Sequence, residues 1–291
     1  MRIAGLLLLT VACGGKTEAP APAPTPPPKV VVAPADAAVD AAGRDTYDDL
    51  GKALLAIIPP DARVIGFGEL HQQAGTKTRS TLSHFTQEAL PVLADKVSDL
   101  VMETWLIDKG CGKTATAATS KIESSVNRPV EVHNDIGDLA TAARAAKIQP
   151  HAMRVTCDDY ARIAPPGKPV DTVAMLDLET RELGRIAGEA VVHRDREPDH
   201  RPWIALYGGA LHNDRFPADG TQQWSYAAGV DTVTKDHYVE IDIIVPELAA
   251  GDAVLAKQPW APLAANPTDK IQVWKRGDRS FVLILPKDVA K

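Results

Sequence analysis

The apolar positions of the chain fall into two alternating rhythms. Thr46 to Ile57 carries apolar residues at helical spacing and stops at Pro59-Pro60, and Arg63 to Phe67 follows as a short β-rich run. Arg79 to Ala94 reads as an amphipathic helix, and Asp99 to Met102 as a strand that ends in Glu103. Ile136 to Ala146 is an Ala-rich helix, and Ile148 to Val155 is a strand ending in Cys157-Asp158-Asp159. Asp171 to Val192 is the longest helix candidate, after which Pro202 opens the strand Trp203 to Tyr207. Tyr238 to Val245 and the pair Ile271 to Lys275 and Ser280 to Leu285, turned by Arg276-Gly277-Asp278-Arg279, close the chain as β structure. Strands alternating with helices predict a three-layer α/β domain over 44–291: a largely parallel central sheet flanked by helices, with a C-terminal antiparallel hairpin.

The polar residues at the strand ends carry the functional signal. Two hydrophobic runs close on Gly-x-x-His, as Gly68-Glu69-Leu70-His71 and Gly209-Ala210-Leu211-His212. A third ends in Glu103, and a fourth in Asp158 and Asp159. In open α/β sheets, ligands collect just beyond the carboxyl ends of the strands, so parallel pairing would line these groups along one edge. Polar residues begin wherever a strand ends, which explains Asp158 and Asp159. A half-buried carboxylate beside histidine is harder to explain that way, because it needs partners to offset its desolvation. Gly66, Gly68, Gly208 and Gly209 would let the chain turn sharply or let a group approach the backbone closely.

The first 43 residues change the picture of location. Met1-Arg2, the apolar run Ile3 to Val11 and Thr10-Val11-Ala12-Cys13 resemble a bacterial lipoprotein signal peptide, with lipid on Cys13 as the membrane anchor. Gly14 after the cysteine resembles the outer-membrane-destined kind, facing the periplasm or the cell surface. Residues 14–43 are rich in Pro and Ala and cannot bury a core, so they read as a tether. A net charge of −6 without a basic cluster argues against nucleic acid as a partner. Cys111 and Cys157 are an even pair in an oxidising compartment, as a disulfide or as two thiols.

Glu69, His71, Glu103 and His212, in that order and on those motifs, resemble the superfamily that unites erythromycin-esterase-like proteins, ChaN-like haem-binding uptake lipoproteins and the TraB/Tiki group. The spacing Gly-Glu-x-His is similar to the ChaN and Tiki branch. The resemblance implies that these four residues share one cleft and are catalytic, acting on an ester or amide bond in a small-molecule or peptide substrate. Through the Tiki-like relatives it implies a divalent transition metal, for which Glu69, His71 and His212 are the ligand candidates. Read from chemistry alone, histidine is the usual general base and a neighbouring carboxylate orients it. No Gly-x-Ser-x-Gly elbow supports a serine nucleophile.

The ChaN-like branch implies a second function, haem or iron carriage by a homodimer, with His84, Tyr207 and His212 as candidate ligands. Aromatics make up only 5% of the chain, which ranks this behind hydrolysis. A catalytically dead binding scaffold is the third reading. His133-Asn134-Asp135 resembles a helix start, with Asn134 or Asp135 as its cap.

Overall fold

The computed structural model describes residues 45–288, apart from 108, 127–128, 130 and 198–200. The anchor expected at Cys13 and the tether expected over 14–43 lie outside the described residues. One sheet holds β1 (Thr46–Tyr47), β2 (Val64–Glu69), β3 (Val97–Ile107), β4 (Gln149–Val155), β5 (Trp203–Gly209), β6 (Tyr238–Ile244), β7 (Ile271–Gly277) and β8 (Ser280–Ile284). Their order is β1-β7-β8-β6-β2-β5-β3-β4. The six strands from β8 to β4 run parallel, and β7 and β1 pair antiparallel. β2 lies between β5 and β6, in a register that sets Glu69 beside Gly209 and Gly68 beside Asp242. The two glycine-rich ends thus finish at one height on one edge, where the order of strands reverses around β2.

Alternation along each strand divides the core. Ile65, Phe67, Ala205, Tyr207 and Ile241 pack beneath helices Leu50–Ile57 and Glu131–Ala145 and the helical run Thr81–Leu93. Phe85 meets the rings of Phe67 and Tyr207 there, at centroid distances of 4.9 and 4.7 Å. On the other face, Val64, Val101, Leu206 and Tyr238 pack against the long helix Thr172–Arg194 and helix Ala227–Thr234. A sheet covered on both faces is the arrangement the strand and helix rhythm predicts.

Several local expectations give way to specific contacts. Thr46 and Tyr47 pair with β7 instead of opening a helix, and the helix begins after Asp49, whose carboxylate accepts from Lys52 N–H at 2.8 Å. The helix expected over Arg79–Ala94 starts at Thr81 behind the cap Ser80 and widens into a π turn over Phe85–Ala89. Leu90 N–H there reaches back to the Phe85 carbonyl, just before Pro91, which has no N–H to donate. Asn134 and Asp135 lie inside helix Glu131–Ala145 and do not cap it; Asp135 accepts from the Ser80 hydroxyl at 2.7 Å. Asp159 exchanges bonds with Thr156 in a capping box that starts helix Cys157–Ile163, so this polar strand end is a helix start.

Among its described residues, helix Gly112–Val126 buries Ala115, Ala118 and Ile122, a weak signal from two methyl groups and one larger side chain. Cys111 and Cys157 form a disulfide, Cα atoms 5.3 Å apart, joining the start of this helix to that of Cys157–Ile163.

At the opposite edge of the sheet, Asp99 is buried and accepts from Ser98 and Arg194 while His151 Nε2 lies 2.8 Å away. Burial raises its pKa, but these partners outweigh burial and hold the carboxyl well below the usual carboxylate range. Its stabilisation is therefore present above the unfolded value, near pH 4, and is lost as the pH falls through the lowered folded one. Asp99→Asn is expected to cost on the order of 2 kcal/mol at pH 7 in urea unfolding, less than a fully buried pair would because Arg194 keeps some solvent contact. The gap to the native protein should narrow below about pH 3; a gap independent of pH contradicts the assignment.

Candidate active site at the carboxyl edge of the sheet

Each site residue is delivered by a different element to a cleft of about 880 Å³ beyond the carboxyl ends of the strands. Glu69 ends β2 on the same face as Phe67, and its Oε2 accepts from the hydroxyl of Tyr207, which stands on that face of β5, at 2.5 Å. Its Oε1 lies 2.7 Å from His71 Nδ1. Because a carboxylate only accepts, this bond puts a hydrogen on Nδ1. Nε2 is 3.3 Å from Glu103 Oε1.

Glu103 occupies a register shift in β3, between Met102 and Trp105, that lifts it out of regular pairing. Its Oε2 accepts from Gly209 N–H at 2.6 Å. This approach requires the neighbouring glycines. A Cβ on Gly208 would lie 2.5 Å from that oxygen, and one on Gly209 would lie 2.9 Å from His71 Nε2. Neither glycine has a left-handed backbone. They serve as space, and the sharp turn offered as the alternative does not occur at them.

His212, in the short helix Ala210–Asn213, is almost fully buried. Its Nδ1 lies 3.0 Å from the Trp224 carbonyl, which can only accept, and 2.9 Å from the Thr180 hydroxyl. The hydrogen is thereby assigned to Nδ1, and Nε2 points to Glu179 Oε2 at 3.4 Å. Burial works against the charged ring, but Glu179 and Glu103 outweigh it and raise the His212 pKa above 6.5.

Glu179 is the residue that sequence reasoning missed. It sits four residues from both Met175 and Leu183 on the apolar stripe of helix Thr172–Arg194, and it is buried. A charged residue on a stripe that packs against a sheet is a readable signal. Among the described residues, Glu103, Glu179 and His212 form a group whose ligand atoms all lie within 4.8 Å of one another. Two carboxylates and an imidazole whose far nitrogen is already bonded make a suitable donor set for a divalent transition ion.

The predicted residues thus separate into two layers. Glu69, His71 and Glu103 form a chain of contacts, and Glu103 continues into the group with Glu179 and His212. Of the expected metal ligands Glu69, His71 and His212, only His212 belongs to that group. Of the candidate haem ligands, only His212 lines the cleft. Tyr207 is spent on Glu69 and lines a small hollow beneath. His84 lies 3.0 Å from Glu88.

The β6 side of the cleft adds Asp242, Asp214 and Arg276. Arg276 bridges Asp214 at 2.6 Å and the fully buried Glu240 at 3.0 Å. Burial, then the nearby Asp214, push Glu240 up to about 7 in spite of Arg276. Asp242 is raised well above its usual value by burial and by Glu240 and Asp214.

Compared with known proteins, the chain matches no family model, no curated protein and no solved structure.

The Glu179–His212 contact sets a titration. With a raised folded pKa, its contribution to stability is full below about 6.5 and fades as the pH rises through the folded value. In metal-free protein, ring NMR should place the His212 pKa above 6.5, and Glu179→Gln should lower it; a native value below 6.5 contradicts the pairing.

Proposed function

We propose that this protein is a metal-assisted hydrolase of ester or amide bonds in a small-molecule or peptide substrate, working from a lipid anchor on Cys13 outside the cytoplasm. The observation that carries the reading is the state of His71. Glu69 holds its Nδ1 from one side at 2.7 Å, and its Nε2 lies at the edge of the cleft 3.3 Å from Glu103 Oε1. Its side chain is 30% exposed, against 7–9% for Glu69 and Glu103 and 4% for His212, so water and substrate reach it first.

Such a histidine takes a proton from water at Nε2, and Glu69 steadies the imidazolium that forms. Tyr207 holds Glu69 in turn, through its hydroxyl. The proton then passes from His71 to the leaving alkoxide or amine, so the base is regenerated. Glu103, Glu179 and His212 would hold the divalent ion. When bound, that ion would polarise the substrate carbonyl and lower the pKa of water beside it. Gly208 and Gly209 keep the floor of the site low enough for Glu103 and His71 to meet. The apolar wall, with Trp105, Met175 and Leu211, limits water and receives the body of a substrate.

A panel of nitrophenyl esters and short peptides, offered to the full chain with Mn²⁺ or Zn²⁺, tests this. Turnover should fall by roughly 10²–10⁴ in His71→Ala and in Glu69→Gln. It should vanish on chelation and return with the ion. Turnover that survives both His71→Ala and chelation contradicts the proposal, as does the absence of any turnover across the panel.

A further inference from the structure

The cleft is larger than its catalytic chain of contacts. Its β6 side is built differently, with one polar group at the bottom of an apolar surround. Asp242 is 7% exposed and sits on the same face of β6 as Ile244, which packs with Trp260, Val282 and Leu263. Ile244, Trp260, Leu248, Leu255 and Phe216 line the same cleft. One carboxyl oxygen of Asp242 accepts from the Asn213 amide at 3.2 Å. The other has no protein hydrogen-bond donor among the described residues, although the side chain is nine-tenths buried and lines the cleft.

Room for this carboxyl is specifically provided. A Cβ on Gly68, its neighbour across the β2–β6 pairing, would collide with its oxygen. The second oxygen opens onto the cleft, where a ligand can supply the partner that the protein does not. The charge of the whole cleft says which ligand fits. Glu69, Glu103, Glu179, Asp214, Asp242 and Asp252 line it. Arg276 is the one guanidinium or ammonium among the described lining residues, and Asp214 and Glu240 already neutralise it.

We infer that Asp242 is a specificity-determining residue that receives a cationic group, a primary amine or guanidinium carried on an apolar stem, and that the substrate class is therefore basic and amphiphilic. The inference rests on the hydrolytic reading for what happens to the ligand once seated. In the metal-free chain, carboxylate- and phosphate-bearing compounds are disfavoured by the same lining, where Asp214 and Glu240 already engage Arg276. The groups facing Asp242 are Glu240 on its own strand, Asp214, Arg276 from β7, and the phenols of Tyr226 and Tyr238. Burial and these neighbours raise the pKa of the carboxyl, and an arriving ammonium ion supplies the opposite charge that favours its ionised form.

Binding is measured by calorimetry on the metal-free full chain with three probes of one shape: 4-phenylbutylamine, 4-phenylbutan-1-ol and 4-phenylbutyrate. The amine should bind about tenfold or more tighter than the alcohol, and the butyrate weakest. Asp242→Asn, which keeps size and the Asn213 contact, should bring amine and alcohol to within about threefold. Equal binding of amine and alcohol by the native protein overturns the inference without any variant. A preference unchanged in Asp242→Asn, tighter butyrate, or no amine binding up to millimolar concentration also overturns it. No turnover is needed for this readout. A protein that prefers the amine yet hydrolyses nothing fails the hydrolytic reading alone, whereas one that hydrolyses neutral esters and ignores charge fails this one.

Discussion

The site depends on one close approach across the edge of the sheet. Glu69 and Tyr207 stand on one face of the sheet, and Glu179 comes from the helix that covers the other. The two sets communicate only where Glu103 lies against Gly208 and accepts from Gly209 N–H, with His71 Nε2 above them. Any side chain on β5 at those two positions would separate the faces. The parallel register of β2, β5 and β6 fixes this meeting point, and the bulge in β3 aims Glu103 at it.

Burying so many acids works against folding, and the structure offsets it locally. Glu69 has Tyr207 and His71, Glu103 has a backbone N–H, and Glu240 has Arg276 and the Arg215 N–H. Asp99, at the far edge, is bonded by Ser98 and Arg194 with His151 alongside, and so fastens the long helix to the sheet. Asp242 is the exception, with a single amide as partner. A core of two apolar layers, with each large side chain contributing about 1.5–3 kcal/mol, can carry such exceptions where a ligand makes use of them.

Much of the fold was legible because the parallel strands are short apolar runs with polar ends, and because covered sheets demand that pattern. Gly68, Glu69, His71, Glu103 and His212 were legible for the same reason, as residues just past a run. Glu179 was not, because a glutamate in the middle of a long helix is ordinarily solvated, and only its place between Met175 and Leu183 reveals that it points inward. Asp242 and Glu240 lie in the run Tyr238 to Val245, which reads as β structure with no site residue in it. Their alternation with Val239, Ile241 and Ile243 looks like a solvated face, yet both faces of this sheet are covered. Arg276 was read as part of a turn, whereas β7 extends through it and turns the guanidinium back onto Asp214.

In the proposed hydrolase, Glu103, Glu179 and His212 act together as the ligands of one divalent ion. Calorimetric titration of the metal-free chain with Mn²⁺ tests this most directly. One ion should bind per chain, with affinity reduced by roughly a hundredfold or more in Glu179→Gln and in His212→Ala. An ion bound with native affinity by Glu179→Gln would contradict it.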